Sequence, residues 1–214
     1  MTCYKCGFDK LNHRKIMIDY IEKTEEIRAF TEAHVKKSRY EHCERVAVMC
    51  ARLCRQYGLD SRKGYLAGIG HDMCKDFSRE DMIKTAARDG NEITEYEKKF
   101  PAMLHGRAAA VLLKEQFKIL DPEILEAVGN HISGKLGMCD LTKCLFLADK
   151  IEPNRPQSTD EYRANLLSMS LDEMLYSVLE ENHEYLINHG CVIEPENEKM
   201  LEYYKNLVTA GGDK

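Results

Sequence analysis

Residues 38–58 read SRYEHCERVAVMCARLCRQYG, and within them Val46, Cys50, Leu53, Cys54 and Tyr57 keep a period of about 3.6 residues until Gly58. That spacing lays one apolar stripe along an α-helix, and a glycine just past the stripe is a usual stop. Ser38 followed by Glu41 reads as a capping box that opens the helix.

The same grammar repeats outward along the chain. Asp60 or Ser61 starts a second helix through Tyr65, Leu66 and Ile69, and Ser78 with Asp81 starts a third that stops near Gly90. Thr94 with Glu97 forms another capping box. Pro101 then interrupts before a helix from about His105 to Lys118. Asp121 followed by Pro122 is a cap with proline at the first helical position. Asp140 caps a helix that Pro153 ends. Ser170 with Glu173 opens a long helix striped by Leu171, Met174, Leu175, Val178, Leu179, Tyr185 and Leu186, and Pro195 begins the last. Strand patterns are nearly absent, so the expected fold is an all-α single-domain bundle without repeats. Residues 1–25 are expected as an N-terminal extension with helical potential (Ile16, Ile18, Tyr20, Ile21), and residues 26–210 as the domain proper. NRPQSTD at 154–160 is the one loop-like cluster of any size, too short to divide two domains.

Composition narrows the function classes. A chain of 214 residues, 43% hydrophobic and 31% charged, suits one globular domain that buries roughly 70% of its unfolded surface. The longest unbroken apolar runs, Val46–Ala51 and Ala108–Leu113, have six residues, far short of the ~20 a membrane-spanning helix needs. The opening MTCYKCGFDK lacks the apolar stretch of a secretory signal, which points to a cytoplasmic protein. Nine cysteines, an odd number, fit reduced thiols better than a disulfide framework, and Cys50 and Cys54 read as packing residues. The net charge of −5 includes no block of like charge, so no nucleic-acid groove is expected. Cys3, Cys6 and His13 make half a zinc knuckle at most, too little for a nucleic-acid adaptor. His34, His183 and His189 lie among charged or amide residues and read as solvated.

His71-Asp72 carries more. Chance alone supplies about half a His-Asp dipeptide in such a chain, but this pair closes an apolar helix, YLAGIGHD. An ionised Asp buried there is costly without a cation. His42 precedes Val46 by four, His131 follows Val128 by three, and Asp149 follows Leu145 by four. Each polar head therefore projects from a core-facing stripe, and imidazoles with carboxylates are the side chains that divalent metals select.

In order, RYEHCERV, AGIGHDMCKD, LHGRAAA, NHISG and FLADKIEPNR resemble the HD-domain metallophosphohydrolases, and within them the YqeK-type symmetrical diadenosine tetraphosphate hydrolases. The likeness runs from about Ile27 to Leu207. Two relatives' signatures are missing: there is no GYP segment of the cyclic dinucleotide phosphodiesterases, and Lys75 stands where alarmone hydrolases carry Glu. The resemblance implies a single HD-domain helical bundle with a metal site in its core, and His42, His71, Asp72 and Asp149 as ligands of a divalent metal, iron in this family. It leaves His105 and His131 two roles: a second metal site bridged by Asp72, or direct contact with phosphates. The phosphate role is preferred, because four ligands suffice for one ion. Lys75, one turn past Asp72, and Arg155 become phosphate contacts, and Arg39 a looser one. Asp72, Lys75, His105 and His131 are the implied catalytic set. His42, Asp149, Ile132, Ile193 and Glu194 would touch substrate, although Glu196, in the same 192–197 segment, replaces an expected smaller hydroxyl residue.

The implied reaction is metal-dependent hydrolysis of diadenosine tetraphosphate to two ADP. The alternatives are another HD-type nucleotide phosphohydrolase, or a non-enzymatic nucleotide-sensing module, against which the complete ligand set argues. A homodimer is compatible with either.

Overall fold

The computed structural model describes residues 5–190, 193 and 195–211, with side chains for 20–190, 193 and 197–210. Cys3, Val192 and Glu194 lie outside the described residues, as do the side chains of Cys6, His13 and Glu196. Helices are the regular elements throughout: α1 Lys5–His34, α2 Lys37–Gln56, α3 Ser61–Gly70, α4 Arg79–Ala86, α5 Glu95–Lys99, α6 His105–Glu115, α7 Pro122–Asn130, α8 Asp140–Ile151, α9 Asp160–Leu166, α10 Leu171–Asn188 and α11 Pro195–Gly211. No described helix is long and apolar enough to cross a membrane.

Most start signals sit where the sequence puts them. The side chains of Asp60, Ser78 and Asp121 accept from backbone amides of the first turn, and Thr94 and Ser170 form complete capping boxes with Glu97 and Glu173. Five boundaries differ. The cap of α2 is Lys36, whose side chain makes no capping bond, so Ser38 falls inside the first turn; the Lys36 amide instead donates to Asp76 Oδ2 at 2.8 Å. Asp140 is the first residue of α8, not its cap, which is Cys139. α6 ends at Glu115, short of Lys118, which adopts a left-handed conformation at φ 58°. α9 begins inside the stretch read as loop, capped by Thr159. α1 is continuous across position 25, where the sequence suggested an extension giving way to the domain.

The core forms around α2. Its stripe of Cys43, Val46, Ala47, Cys50, Leu53 and Cys54 is fully buried, and burying a side chain of Val or Leu size stabilises by about 1.5–3 kcal/mol. α3 lies directly on this stripe. A Cβ at Gly68 would sit 2.4 Å from Ala47 Cα, so only glycine permits the approach. That close packing brings the C-terminal end of α3, with His71 and Asp72, up to His42 on α2. α8 packs against α2, α3 and α7 through Leu141, Leu145, Leu147 and Ala148, and carries Asp149 into the same interior. α10 and α11 pair on the far side of α8.

Candidate metal centre and active site

Six ionisable side chains, from α2, α6, α8 and the turns that follow α3 and α7, meet inside the bundle. His42, His71, Asp72, His105, His131 and Asp149 are all buried, none more than 7% exposed. They divide into two groups of converging ligand atoms, His42, His71 and Asp72 on one side and Asp72, His105 and His131 on the other. Asp149 joins the first, with Oδ1 3.1 Å from His42 Nε2 and 3.9 Å from His71 Nε2. The Asp72 oxygens are split between the groups. Oδ1 lies 2.9 Å from His105 Nε2 and 3.7 Å from His131 Nε2, while Oδ2 lies 3.8 Å from His71 Nε2.

Local structure decides which imidazole nitrogen faces the centre. His71 and His131 follow the last residues of α3 and α7, where carbonyls lack helical partners. Their Nδ1 atoms lie 2.7 Å from Gly68 O and 2.8 Å from Val128 O, and His105 Nδ1 lies 2.5 Å from Ala102 O. A carbonyl only accepts, so Nδ1 carries the proton in each ring. His42 Nδ1 donates likewise to Glu152 Oε1 at 3.1 Å. In the neutral rings all four Nε2 atoms are therefore bare lone pairs aimed inward. Burial holds His71 neutral, down to about 3, and depresses His105 as well. Burial opposes ionisation of Asp72 and Asp149, yet the groups packed around them, Lys150 first for Asp149, hold both carboxyls well below the usual range.

The outcome is a set of inward imidazole acceptors with no donor between them. His42 Nε2 and His71 Nε2 are buried without a hydrogen-bond partner, and His105 Nε2 faces His131 Nε2 at 3.1 Å. Unmatched buried acceptors of this kind are strongly unfavourable unless a cation lies among them. Imidazole nitrogens with carboxylate oxygens suit a borderline divalent ion, so the residues present fit the metal that the sequence pattern implies.

Cationic side chains surround the centre. Arg39 donates to Asp72 Oδ2 at 2.9 Å, a firmer engagement than its sequence context promised. Lys75 Nζ stands 3.3 Å from both ring nitrogens of His105, which places it over the ring, and burial lowers its pKa. Arg155, expected on phosphate, donates from Nε to Asp149 O at 2.7 Å and from Nη2 to Asp149 Oδ1 at 2.5 Å, keeping 33% of its side chain exposed.

Three further residues escaped the sequence reading. Glu152 is 2% exposed and binds His42 Nδ1, Arg45 Nε at 2.7 Å and the Asn154 amide at 2.8 Å. Burial would raise its carboxyl, but Arg45 and these donors hold it below its ordinary value. Lys150 pairs with Asp149 Oδ2 at 2.8 Å. Helical offsets carried a signal for two of them: Glu152 follows Asp149 by three, and Arg45 follows His42 by three.

A cleft opens beside the centre. One cavity of about 480 Å³ is lined by Tyr96, Phe100, Ile132, Phe146, Lys150 and His183 among others, so His183 is half-buried in the cleft wall. Ile132 lines this cavity; Ile193 is half-buried, and Glu194 lies outside the described residues.

Comparison with known proteins accords with this geometry. The model of the HD domain matches residues 39–154, which span every residue of the centre. The chain belongs to the HD-domain family. This HD-domain protein is 29% identical over 84% of its length to a Staphylococcus aureus symmetrical bis(5'-nucleosyl)-tetraphosphatase, covering 93% of that relative. It is 30% identical over 80% of its length to the Bacillus subtilis protein of the same name, covering 92% of it. Among solved structures, a Clostridium acetobutylicum protein described as a predicted HD superfamily hydrolase involved in NAD metabolism superposes with a TM-score of 0.78 at 25% identity, over 85% of this chain and 96% of the other. The all-α fold expected from the helical stripes is the fold found.

Proposed function

We propose that this HD-domain protein is a metal-dependent hydrolase that cleaves diadenosine tetraphosphate symmetrically into two ADP. The observation that carries the reading is the buried cluster of four imidazoles and two carboxylates, their inward nitrogens without donors, beside a nucleotide-sized cleft, in a chain that aligns along most of its length with two proteins named for that reaction.

In this reading His42, His71, Asp72 and Asp149 hold one divalent ion, iron by the family pattern. The facing lone pairs of His105 and His131 favour a second cation, with Asp72 between the two groups, over the direct phosphate contact preferred from sequence. Such ions supply Lewis acidity toward a phosphoryl oxygen and bring water within reach of ionisation near neutral pH. The chain's own residues do the rest. Lys75, within 4 Å of no carboxylate among the described residues, is placed to meet the charge that develops on the transferring phosphoryl group. Arg39 and Lys150 stand on opposite carboxylates of the centre and can each turn a donor toward phosphate oxygens. Arg155 chiefly orients Asp149 and offers its exposed remainder to substrate. The apolar and aromatic wall of Tyr96, Phe100, Ile132 and Phe146 takes a base by stacking and excludes water from the site.

The buried thiols of Cys43, Cys50, Cys54, Cys74 and Cys144 support placement in the reducing cytoplasm. A homodimer belongs to the same proposal and is checked by light scattering.

The test is chromatography of products from diadenosine tetraphosphate with added divalent metal, beside an Asp72→Ala control. ADP alone, absent in the control, supports the reading; AMP with ATP overturns the symmetrical cleavage. The description of the Clostridium protein favours one second reading, hydrolysis of a simpler nucleotide, and mononucleotides in the same assay separate the two.

A further inference from the structure

The cleft beside the metal centre is double. Next to the first cavity lies another of about 480 Å³, lined by Thr94, Arg107, Asn130, Gly134, Lys135 and Leu136 along its own wall. The two share Tyr96, Met103, Ile132, Ser133, Asn197 and Met200 as a common partition. That partition borders the centre: Ile132 adjoins His131, and Met103 precedes His105 by two. Each cavity falls in the size range of small-molecule sites and mixes apolar walls with a few polar groups.

Both cavities are built on fixed elements. Arg107 ties α5 to α6 by donating to both oxygens of Asp89, to Glu97 Oε1 at 2.8 Å and to the carbonyls of Asn91 and Glu92. On the opposite side, α11 is pinned to the loop after α7. The buried Tyr204 hydroxyl accepts from the Met138 amide at 3.3 Å, and Met200 packs so closely on Gly134 that a Cβ there would lie 2.7 Å from its sulfur.

We infer that the second cavity receives the second nucleoside of a dinucleoside polyphosphate, so that the partition divides the two ends of one substrate. This rests on the proposed hydrolase reading and names the subsite that reading requires. A symmetrical substrate cut at its middle presents two identical ends to one centre. The first cavity holds one, with Lys150 at its mouth; the second, reached across the same Ile132 and Met103 edge, holds the other, with Asn130 and Ser133 as hydrogen-bonding groups and Lys135 at the rim, where it pairs with Glu126 Oε2 at 2.8 Å. Leu136, 46% exposed, lines the second cavity alone, so it can be changed without disturbing the core or the first cavity.

The experiment fills that cavity with Leu136→Trp, with Leu136→Ala as the opposite change. Calorimetric titration of the metal-loaded protein with ADP is expected to give two ADP per chain in the wild type and one in Leu136→Trp. In steady-state kinetics Leu136→Trp is expected to raise KM for diadenosine tetraphosphate about tenfold, while leaving KM for adenosine 5'-tetraphosphate, which has one nucleoside, unchanged. One ADP per wild-type chain, or an equal change in KM for both compounds, overturns the subsite. If the wild type hydrolyses neither compound yet binds two ADP, one of them lost in Leu136→Trp, the hydrolase reading falls and the subsite stands.

Discussion

Glu152→Gln isolates a carboxylate that the sequence pattern did not reveal. Glu152 Oε1 accepts the proton of His42 Nδ1 at 3.1 Å, and Oε2 accepts from Arg45 Nε at 2.7 Å. The carboxylate therefore fixes the His42 tautomer with Nε2 inward and adds negative charge behind the ring, making it a stronger ligand. Removing an outer-shell partner of this kind typically costs 10–100-fold in metal affinity, about 1.4–2.7 kcal/mol. Glutamine keeps the shape and still offers one oxygen, so it can preserve either the Arg45 or the His42 contact but not the charge. Loss of about tenfold in affinity, the lower end, is expected for Glu152→Gln. Glu152→Ala, which also strands Arg45, is expected to reach the upper end and to lose roughly 1.5–3 kcal/mol of stability for the charged hydrogen bonds. The assay is competition for the divalent ion against a chelator of known affinity, with the Tm of the metal-free protein measured in parallel. Wild-type metal affinity in both variants would refute the reasoning. So would an affinity loss in Glu152→Gln that merely tracks a drop in metal-free Tm, since that outcome makes Glu152 a packing residue.

Three further outcomes follow from the same geometry. Gly106→Ala places a Cβ 2.8 Å from Val128 O and 3.1 Å from His131 Nδ1, so it should cost about 1–3 kcal/mol and lower activity further than the Tm loss explains, as unfolding curves and turnover will show. For Arg107, burial alone would raise the Asp89 and Glu97 carboxyls, but Arg107, together with the Asn91 amide for Asp89 and the Thr94 amide for Glu97, holds both below ordinary values. Their contribution is present above the unfolded carboxylate values near ~4 and is lost as pH falls through the lower folded ones. Arg107→Met should therefore be least stable relative to wild type at neutral pH, with the gap in urea midpoints closing below about pH 4; a pH-independent gap would contradict the assignment. Chelation should lower Tm and restored metal should recover it, because an ion at 100 times its Kd stabilises by about 2.7 kcal/mol; an unchanged Tm would mean the buried acceptors do not hold one.

The helical plan was written locally. Asp60, Ser78, Thr94, Asp121 and Ser170 each satisfy amides two or three residues away, and the stripe from Val46 to Cys54 buries one face wherever the helix packs. Such signals depend on neighbours in the chain, so the sequence alone carried them, as it carried the inward placement of His42, His71, Asp72, His131 and Asp149 on apolar faces. It could also suggest a metal, because buried imidazoles and carboxylates need one whatever the detailed fold. What it could not settle was who meets whom. The pairing of His42 with Glu152 spans 110 positions, and Arg39 with Asp72 spans 33. The turning of Arg155 onto Asp149, the facing of His105 and His131, and the partition of the cleft by Ile132 and Met200 all depend on how helices cross. Those crossings are set by close approaches such as Gly68 on Ala47, where a missing Cβ, silent in any periodicity, brings two backbones together. Local hydrogen bonds and apolar spacing are one-dimensional and legible; side-chain orientation across an interface is a property of the packed interior and exists only once the helices have docked.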